Sequence, residues 1–381
     1  MTRVYLIRHG EAEGNIFRRA QGHYNSQLTA KGVRQVAALA ERFRDERVDA
    51  LYSSDLRRTM LTAGAITKYH ELELQTDPRL REIALGEWED RPFGDLQHFE
   101  PEQMGYFNDD PARWCVAGGE LFADVTKRMR ECVLELAERH AGATVVCVSH
   151  GMAIRALLAD TLGVPSAEIH RVPHGDNTCV SLLEIENGEM RVVFLNDATH
   201  LEGELSTFAR QTWWREKGGA DRNNIWFDPL DPAKEPELYL DFYKKTWRAV
   251  HGNLDGFYGA PYLADAKAHA KAYPGAIVAI RLPDGAIAGI TELDTRRGAE
   301  DGCGWICLCY VEEPLRRAQL GVQLIGHAVS VFRALGRRAV RLHVFSGNTG
   351  ALRFYEEYGF RRIGEAEGAN GGTLYLMEKE L

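Results

Sequence analysis

The sequence predicts two folded parts: a three-layer, doubly wound α/β domain built on a mostly parallel sheet, then a smaller α+β domain with a mixed sheet. Three observations carry this prediction. Short apolar runs alternate with amphipathic helical segments over the first 200 residues or so. Beyond them the pattern changes to runs of strands broken by isolated helices. The length of 381 residues also exceeds the ~250–300 at which a single hydrophobic core stops growing.

Taken in order, Val4 to Ile7 and Thr144 to Val148 are all-apolar, as central parallel strands covered on both faces should be. Between them, Val33, Val36, Ala37, Ala40 and Phe43 recur at helical spacing, as do Val125, Met129, Cys132, Val133 and Leu136. Ala50 to Ser54 reads as a further strand. Val180 to Ile185 and Arg191 to Leu195, joined across Asn187-Gly188, read as a closing hairpin. A polar, aromatic stretch follows, so residues 1–201 are expected to be one domain, 202–222 a linker and 223–381 the second domain.

In that second part, Asp231-Pro232 predicts a helix start leading to about Val250. Strands are expected at Ala276 to Arg281, Ile287 to Leu293, Trp305 to Val311, Ala339 to Phe345 and Thr373 to Glu378, with helices from Gln319 to Leu335 and Thr349 to Tyr358. The chain shows no internal repeat.

With 46 basic and 55 acidic residues the formal charge is -9, which argues against nucleic acid or an anionic membrane as partner. The N-terminus reaches Arg8 without a signal-type apolar region, and no run has membrane-spanning length. The seven scattered cysteines suit buried thiols in a reducing compartment, so a cytoplasmic protein is expected. Cys303, Cys307 and Cys309 lie on a strand-like segment without a second ligand pair, so they read as packed small residues and no metal is expected. His170 and His174 are spaced for a helical metal pair, but Pro173 favours a loop there.

Arg8-His9-Gly10-Glu11 follows the first apolar strand and Ser149-His150-Gly151 follows the other. Ligands of open parallel sheets bind beyond the carboxyl ends of the strands, so His9 and His150 should meet there. The strand at Ala50 to Ser54 runs into a helix bearing Arg57 and Arg58, and arginines grip phosphate in bidentate fashion. Two imidazoles and two guanidiniums suit phosphoryl transfer to a histidine nucleophile, without a metal. The leaving oxygen also needs a proton, for which Glu82 is the candidate, although the chemistry alone does not choose it over Glu11, Glu87 or Glu89.

These blocks, together with Asn15, Gln21-Gly22, Leu28-Thr29 with Gly32, Ser53-Ser54-Asp55-Leu56, Thr62-Ala63, Arg81-Glu82, Gly86 and Trp88, resemble the histidine phosphatase, or phosphoglycerate mutase-like, superfamily over residues 1 to about 201. The resemblance implies that His9 becomes phosphorylated, that Arg8, Arg58 and His150 form the phosphate pocket, and that Glu82 is the acid and base. Asn15 and Gln21 would add contacts at its edge. Ile83 to Asp90 resembles the phosphatase branch and lacks the segment expected of cofactor-dependent mutases, which favours hydrolysis of a small phosphomonoester with no cofactor; mutase activity is the alternative. The aromatic segment Pro92 to Gly119 is either a cap that selects substrate or a cluster that covers the sheet.

In the second part a strand meets the turn Glu312-Glu313-Pro314-Leu315-Arg316-Arg317-Ala318-Gln319-Leu320-Gly321, which opens an amphipathic helix. Free N–H groups at a helix start, reinforced by cations, make a pyrophosphate cradle. Asn348 to Phe360 then follows another strand. The pair resembles the GNAT N-acetyltransferase superfamily over about residues 223 to 381. It implies acetyl-CoA as cofactor, held by Arg316, Arg317, Gln319, Gly321 and Asn348, a small-molecule or peptide amine as acceptor, and Tyr355 as the acid for the leaving thiolate. Gln319 stands where the first glycine of the loop is expected, while Gly321 keeps the second. Glu292 and Glu312 are candidates to relay the amine proton. A CoA-binding module that regulates the phosphatase without acetyl transfer is the alternative, and the two domains acting on one metabolite is a further one.

Overall fold

The computed structural model describes residues 1–211, 223–368 and 371–381. They fall into two compact units that divide between residues 211 and 223, with Pro92–Asp95 grouped with the second.

The first unit contains β1 (Thr2–Arg8), α1 (Glu13–Phe17), α2 (Ala30–Phe43), β2 (Ala50–Ser53), α3 (Arg57–Thr67), β3 (Leu74–Thr76), the part of α4 (Phe93–Phe99) from Leu96 on, α5 (Pro101–Asp109), α6 (Phe122–Arg139), β4 (Thr144–Ser149), α7 (Gly151–Thr161), β5 (Val180–Glu186) and β6 (Glu189–Asp197). Its sheet runs β3-β2-β4-β1-β5-β6, with the first four parallel and the closing hairpin antiparallel. The turn of that hairpin takes positive φ at both Asn187 and Gly188, the geometry that favours an Asn-Gly pair. Tyr5, Ile7, Val146 and Val148 from the strands pack with Leu39, Phe43 and Ile66 from the helices in one core.

The face of α2 departs from the periodicity. Val33 is 58% exposed and Ala37 is exposed, whereas Gln35 is fully buried. Gln35 takes the core position because its amide is saturated: it accepts from Glu11 N–H (2.7 Å) and donates to Leu205 O (2.7 Å) and Thr207 Oγ1 (3.0 Å). These bonds also correct the linker expectation. Residues 203–211 include two short 3-10 turns, and Thr207 also donates to Glu11 (2.9 Å), so this stretch is folded onto the first unit. The rest of the expected linker, 212–222, lies outside the described residues. In the aromatic segment, Phe107 and Trp114 pack with Trp88 in a cluster with centroids 5.4–5.8 Å apart, while Phe99 is exposed.

The second unit contains β7 (Trp226–Pro229), α8 (Pro236–His251), α9 (Gly259–Ala272), β8 (Ile277–Arg281), β9 (Ile287–Asp294), β10 (Cys303–Val311), α10 (Leu320–Ala334), β11 (Ala339–Phe345), α11 (Thr349–Glu357), β12 (Arg361–Glu367) and β13 (Thr373–Glu380). The sheet order is β12-β13-β11-β10-β9-β8-β7. Among the described residues of this unit only β10 and β11 pair in parallel, from Cys303/Ala339 to Trp305/Arg341; beyond that point each continues without the other.

Helix α8 begins at Pro236, with Asp231 instead closing a turn by accepting from Ala233 N–H (2.9 Å). Cys303 packs as expected, but Cys307 is exposed, because a bulge between Ile306 and Leu308 turns it out of the regular alternation. Among the described residues, no helix is long and apolar enough to cross a membrane.

Candidate active site

Strands β1 and β4 run side by side in parallel with Arg8 opposite Ser149, so the residues that follow them leave the sheet together. His9 N–H donates to Ser149 O (3.0 Å), and the His9 and His150 rings lie 5.2 Å apart. Both are buried. His9 Nδ1 lies 2.8 Å from Gly10 O, so Nδ1 carries the proton and Nε2 keeps its lone pair.

Arg58, in the first turn of α3, donates to Tyr24 O (2.8 Å) and Gly22 O (2.8 Å). That loop is itself fixed by Glu89, whose carboxylate accepts the N–H groups of Gly22, His23 and Tyr24 at 2.7–3.2 Å. Arg8 donates to Gly175 O (2.6 Å), and His150 Nε2 meets Ser54 Oγ at 2.7 Å. What remains is notable: Arg8 Nε, Arg58 Nε and His150 Nδ1 are buried without a hydrogen-bond partner. Orphaned buried donors are rare in folded proteins, and three in one place mark a site that takes acceptor oxygens.

Burial, reinforced by Arg58 and Arg8, holds His9 well below the usual imidazole range. Burial and Arg58 act on His150 in the same direction. Arg58 is pushed down to about 10 by burial, so it remains a cation at neutral pH.

Glu82 joins the site from the loop after β3. Its carboxylate accepts from Ile83 N–H (3.0 Å), Ala153 N–H (2.9 Å) and Met152 N–H (3.0 Å), which seats it on the first turn of α7. A Cβ placed on Gly151 would lie 3.4 Å from Arg8 Nε and 3.8 Å from Glu82 Oε2, so guanidinium and carboxylate flank the same glycine.

The remaining expected residues sit differently. Asn15 Oδ1 accepts from Ala12 N–H (2.9 Å) and Asn177 Nδ2 (3.4 Å), and Gln21 Oε1 accepts from Ser26 Oγ (2.6 Å). Arg57 is exposed. Glu11 pairs with Lys31 (2.7 Å) and Thr207. His174 lies in a loop, 3.1 Å from Arg155.

Two supporting residues escaped the sequence. Arg128 donates to the carbonyls of Arg79, Arg81 and Glu82 at 2.6–3.0 Å, pinning the loop that presents Glu82. Asn177 donates to His9 O (3.0 Å). Glu89, an alternative acid in the sequence, instead braces the Gly22 to Tyr24 loop. Nothing local distinguishes a polar residue on a helix face or in a loop from one that reaches a distant backbone.

In the second unit, Gln319 adopts φ 60° as the residue capping α10, and Arg317 adopts φ 69°. The expected-glycine position is thus left-handed, with a side chain bearing the strain. Gly321 is needed for packing, since a Cβ there would come within 3.0 Å of the Phe354 ring. Arg316 and Arg317 are exposed, and Arg316 donates to Val311 O (3.1 Å). Asn348 Oδ1 accepts from Ala351 N–H (3.1 Å) and caps α11. Tyr355 is buried; burial, with Cys309 adding to it, raises the phenol well above its usual range. Glu312 pairs with Lys245 (2.7 Å), and Glu292 is held by Tyr239 and His269.

The comparisons agree with this division. The family model for the acetyltransferase (GNAT) family matches residues 238–360, and that for the histidine phosphatase superfamily (branch 1) matches residues 4–198. A Yersinia pestis protein named "Probable phosphoglycerate mutase GpmB" is 38% identical over 166 residues, which is 44% of this chain and 77% of that one. The solved structure of YhfR from Bacillus stearothermophilus is 33% identical and covers 53% of this chain and all of its own, with a TM-score of 0.51. With His9, Arg58, Glu82 and His150 gathered at one sheet end, the chain belongs to the histidine phosphatase superfamily, and it carries a GNAT acetyltransferase domain behind that one.

Proposed function

We propose that the first unit hydrolyses a small phosphomonoester through a phosphohistidine on His9. The observation that carries this reading is the set of orphaned donors, Arg8 Nε, Arg58 Nε and His150 Nδ1, beside a neutral nucleophile. His9 Nε2 attacks phosphorus as the bond to the leaving oxygen breaks, and the carboxyl of Glu82 gives that oxygen its proton. The three donors hold the phosphoryl oxygens through the transition state. In the second half, Glu82 takes a proton from water, the hydroxide attacks phosphorus, the P–N bond breaks, and phosphate leaves.

The test is acid-labile phosphate trapped on the protein from a phosphomonoester, with loss in His9→Ala; equal phosphate release by both proteins would sink the mechanism. Mutase action is the second reading, favoured by the name of the Yersinia relative. The product separates them: free phosphate for hydrolysis, an isomeric phosphate ester for a mutase. The segment Ile83 to Asp90 supports hydrolysis.

For the second unit we propose acetyl transfer to a small-molecule or peptide amine. The fit to acetyl-CoA rests on the free edge of β10 beyond Trp305, where strand backbone is left unpaired, and on the start of α10, which no side chain caps. Arg316, Arg317, Gln319 and Gly321 would border its pyrophosphate, with Asn348 holding the neighbouring turn. When bound it supplies an activated thioester. Tyr355 would supply the proton for the departing sulfur. Consumption of acetyl-CoA in the presence of amines supports this; binding without consumption supports the regulatory alternative. All seven cysteines are free, which suits a cytoplasmic setting.

A further inference from the structure

The second unit holds a cluster that neither proposed reaction uses. His269 comes from α9, Asp294 ends β9, and Cys307 is the bulged residue of β10. Across the β9–β10 pair, Asp294 lies opposite Trp305 and Glu292 opposite Leu308, and Cys307 is the extra residue between those pairs. A bulge re-aims a side chain, and here it delivers the thiol to the carboxylate and imidazole. The donor atoms of His269, Asp294 and Cys307 all lie within 4.8 Å of one another.

The surroundings prepare these donors for a ligand. His269 Nδ1 is 2.7 Å from Glu292 Oε1, and Glu292, only 2% exposed, has its other oxygen held by the Tyr239 hydroxyl at 2.8 Å. A buried carboxylate on Nδ1 orients the ring, the arrangement found behind metal-bound histidines. Nε2 points at Asp294 Oδ2, 3.1 Å away. Asp294 is positioned in turn: its Oδ1 accepts from Arg296 N–H (2.9 Å) and Arg297 N–H (3.1 Å), so Oδ2 is the oxygen that faces the cluster. Cys307 is an exposed residue at the rim of the cluster.

We propose that His269, Asp294 and Cys307 form a mononuclear zinc site, with Glu292 as the positioning residue. One imidazole, one thiolate and one carboxylate suit a borderline ion such as Zn²⁺ and give three of four tetrahedral positions, leaving the fourth for water or another ligand. Cys307 binds as the thiolate and its proton passes to solvent. The site is independent of the acetyl-transfer reading, because an ion held there is detected without any acceptor or acetyl-CoA.

The test uses the full chain, stripped with chelator and then titrated with Zn²⁺ alone against a chromophoric competitor. About one ion per chain is expected to survive desalting, with affinity about 10- to 100-fold weaker in Glu292→Gln. Co²⁺ in place of Zn²⁺ should give a thiolate charge-transfer band in the near ultraviolet that is lost in Cys307→Ser. Asp294→Asn, at a partly exposed position, is a second ligand variant, with folding of each followed by circular dichroism. Absence of retained zinc, or a cobalt spectrum that is the same in Cys307→Ser and the parent, overturns the proposal.

Discussion

Replacing Glu82 with glutamine separates proton delivery from architecture. In the folded chain its carboxylate accepts three backbone N–H groups, those of Ile83, Met152 and Ala153, at 2.9–3.0 Å. Glutamine keeps one oxygen for Ile83 and Ala153 but turns an amide NH₂ toward the Met152 N–H. The loss of one charge-assisted bond, about 1.5–3 kcal/mol, should lower the melting temperature of the first unit by several degrees without unfolding it. Catalysis should suffer far more, and unequally. An alkyl phosphate needs its leaving oxygen protonated, so release of the alcohol in the first half-reaction should slow by about 10²–10⁴. A 4-nitrophenyl ester leaves as a stable anion and in that half-reaction should lose no more than about tenfold, because the arrangement of His9, Arg8, Arg58 and His150 is untouched; hydrolysis of the phosphohistidine, where Glu82 is the base, slows alike for both. Single-turnover release of the two leaving groups, which reports the first half-reaction alone, makes the comparison, with circular dichroism of the variant. Equal losses on both leaving groups would refute the acid role and leave Glu82 as a cap on α7.

Arg58→Gln removes a cation that depresses His9, so His9 becomes easier to protonate; the acid limb of the kcat/KM profile should move to higher pH, and kcat/KM should fall about 10- to 100-fold with the charged contact to phosphate. A smaller loss with an unmoved limb would count against the pocket. Burial holds His9, His150 and His174 well below the usual imidazole range, and His200, under burial and Arg42, at about 4. For each, the unfolded chain binds a proton first as pH falls, so stability is full above about 6.5 and drains as pH drops below it. Urea midpoints that stay flat between pH 7 and pH 5 would show that these rings do not govern acid stability. Gln319→Gly relieves a left-handed residue and should raise stability by about 1 kcal/mol in chemical denaturation. A lowered midpoint would mean that the Gln319 side chain contributes more than its strain costs.

Much of the fold was legible. The middles of β1 and β4, Val4 to Ile7 and Val145 to Val148, are apolar because both faces are covered, and the Asn187-Gly188 turn declares its hairpin. What failed did so for identifiable reasons. The α2 stripe was misassigned because Gln35, a polar residue, is buried by its hydrogen bonds to other segments. Helix α9 went unread because Gly259–Ala272 is alanine-rich and weakly amphipathic, and β12 because its residues are mostly exposed and offer no apolar run. The short β3, with its exposed threonine and glutamine, is formed by pairing with β2 alone.

The sequence alone determined the two-part organisation and the sheet classes, because hydrophobic period and length are local properties of the chain. Motifs at strand exits, local too, pointed to His9 and His150, with Arg58 on the helix after a third strand, while Glu82 was singled out from Glu11, Glu87 and Glu89 only by the family resemblance. Only the tertiary structure decided how they act. Burial makes His9 neutral, Gly22 and Tyr24 aim Arg58, and Arg128 holds the loop of Glu82 from 46 to 49 residues away in the chain. The grouping of His269, Asp294 and Cys307 was decided there as well. A bulge in β10 and the packing of α9 bring together residues whose spacing carries no signal, because proximity in space depends on pairing register and not on distance along the chain.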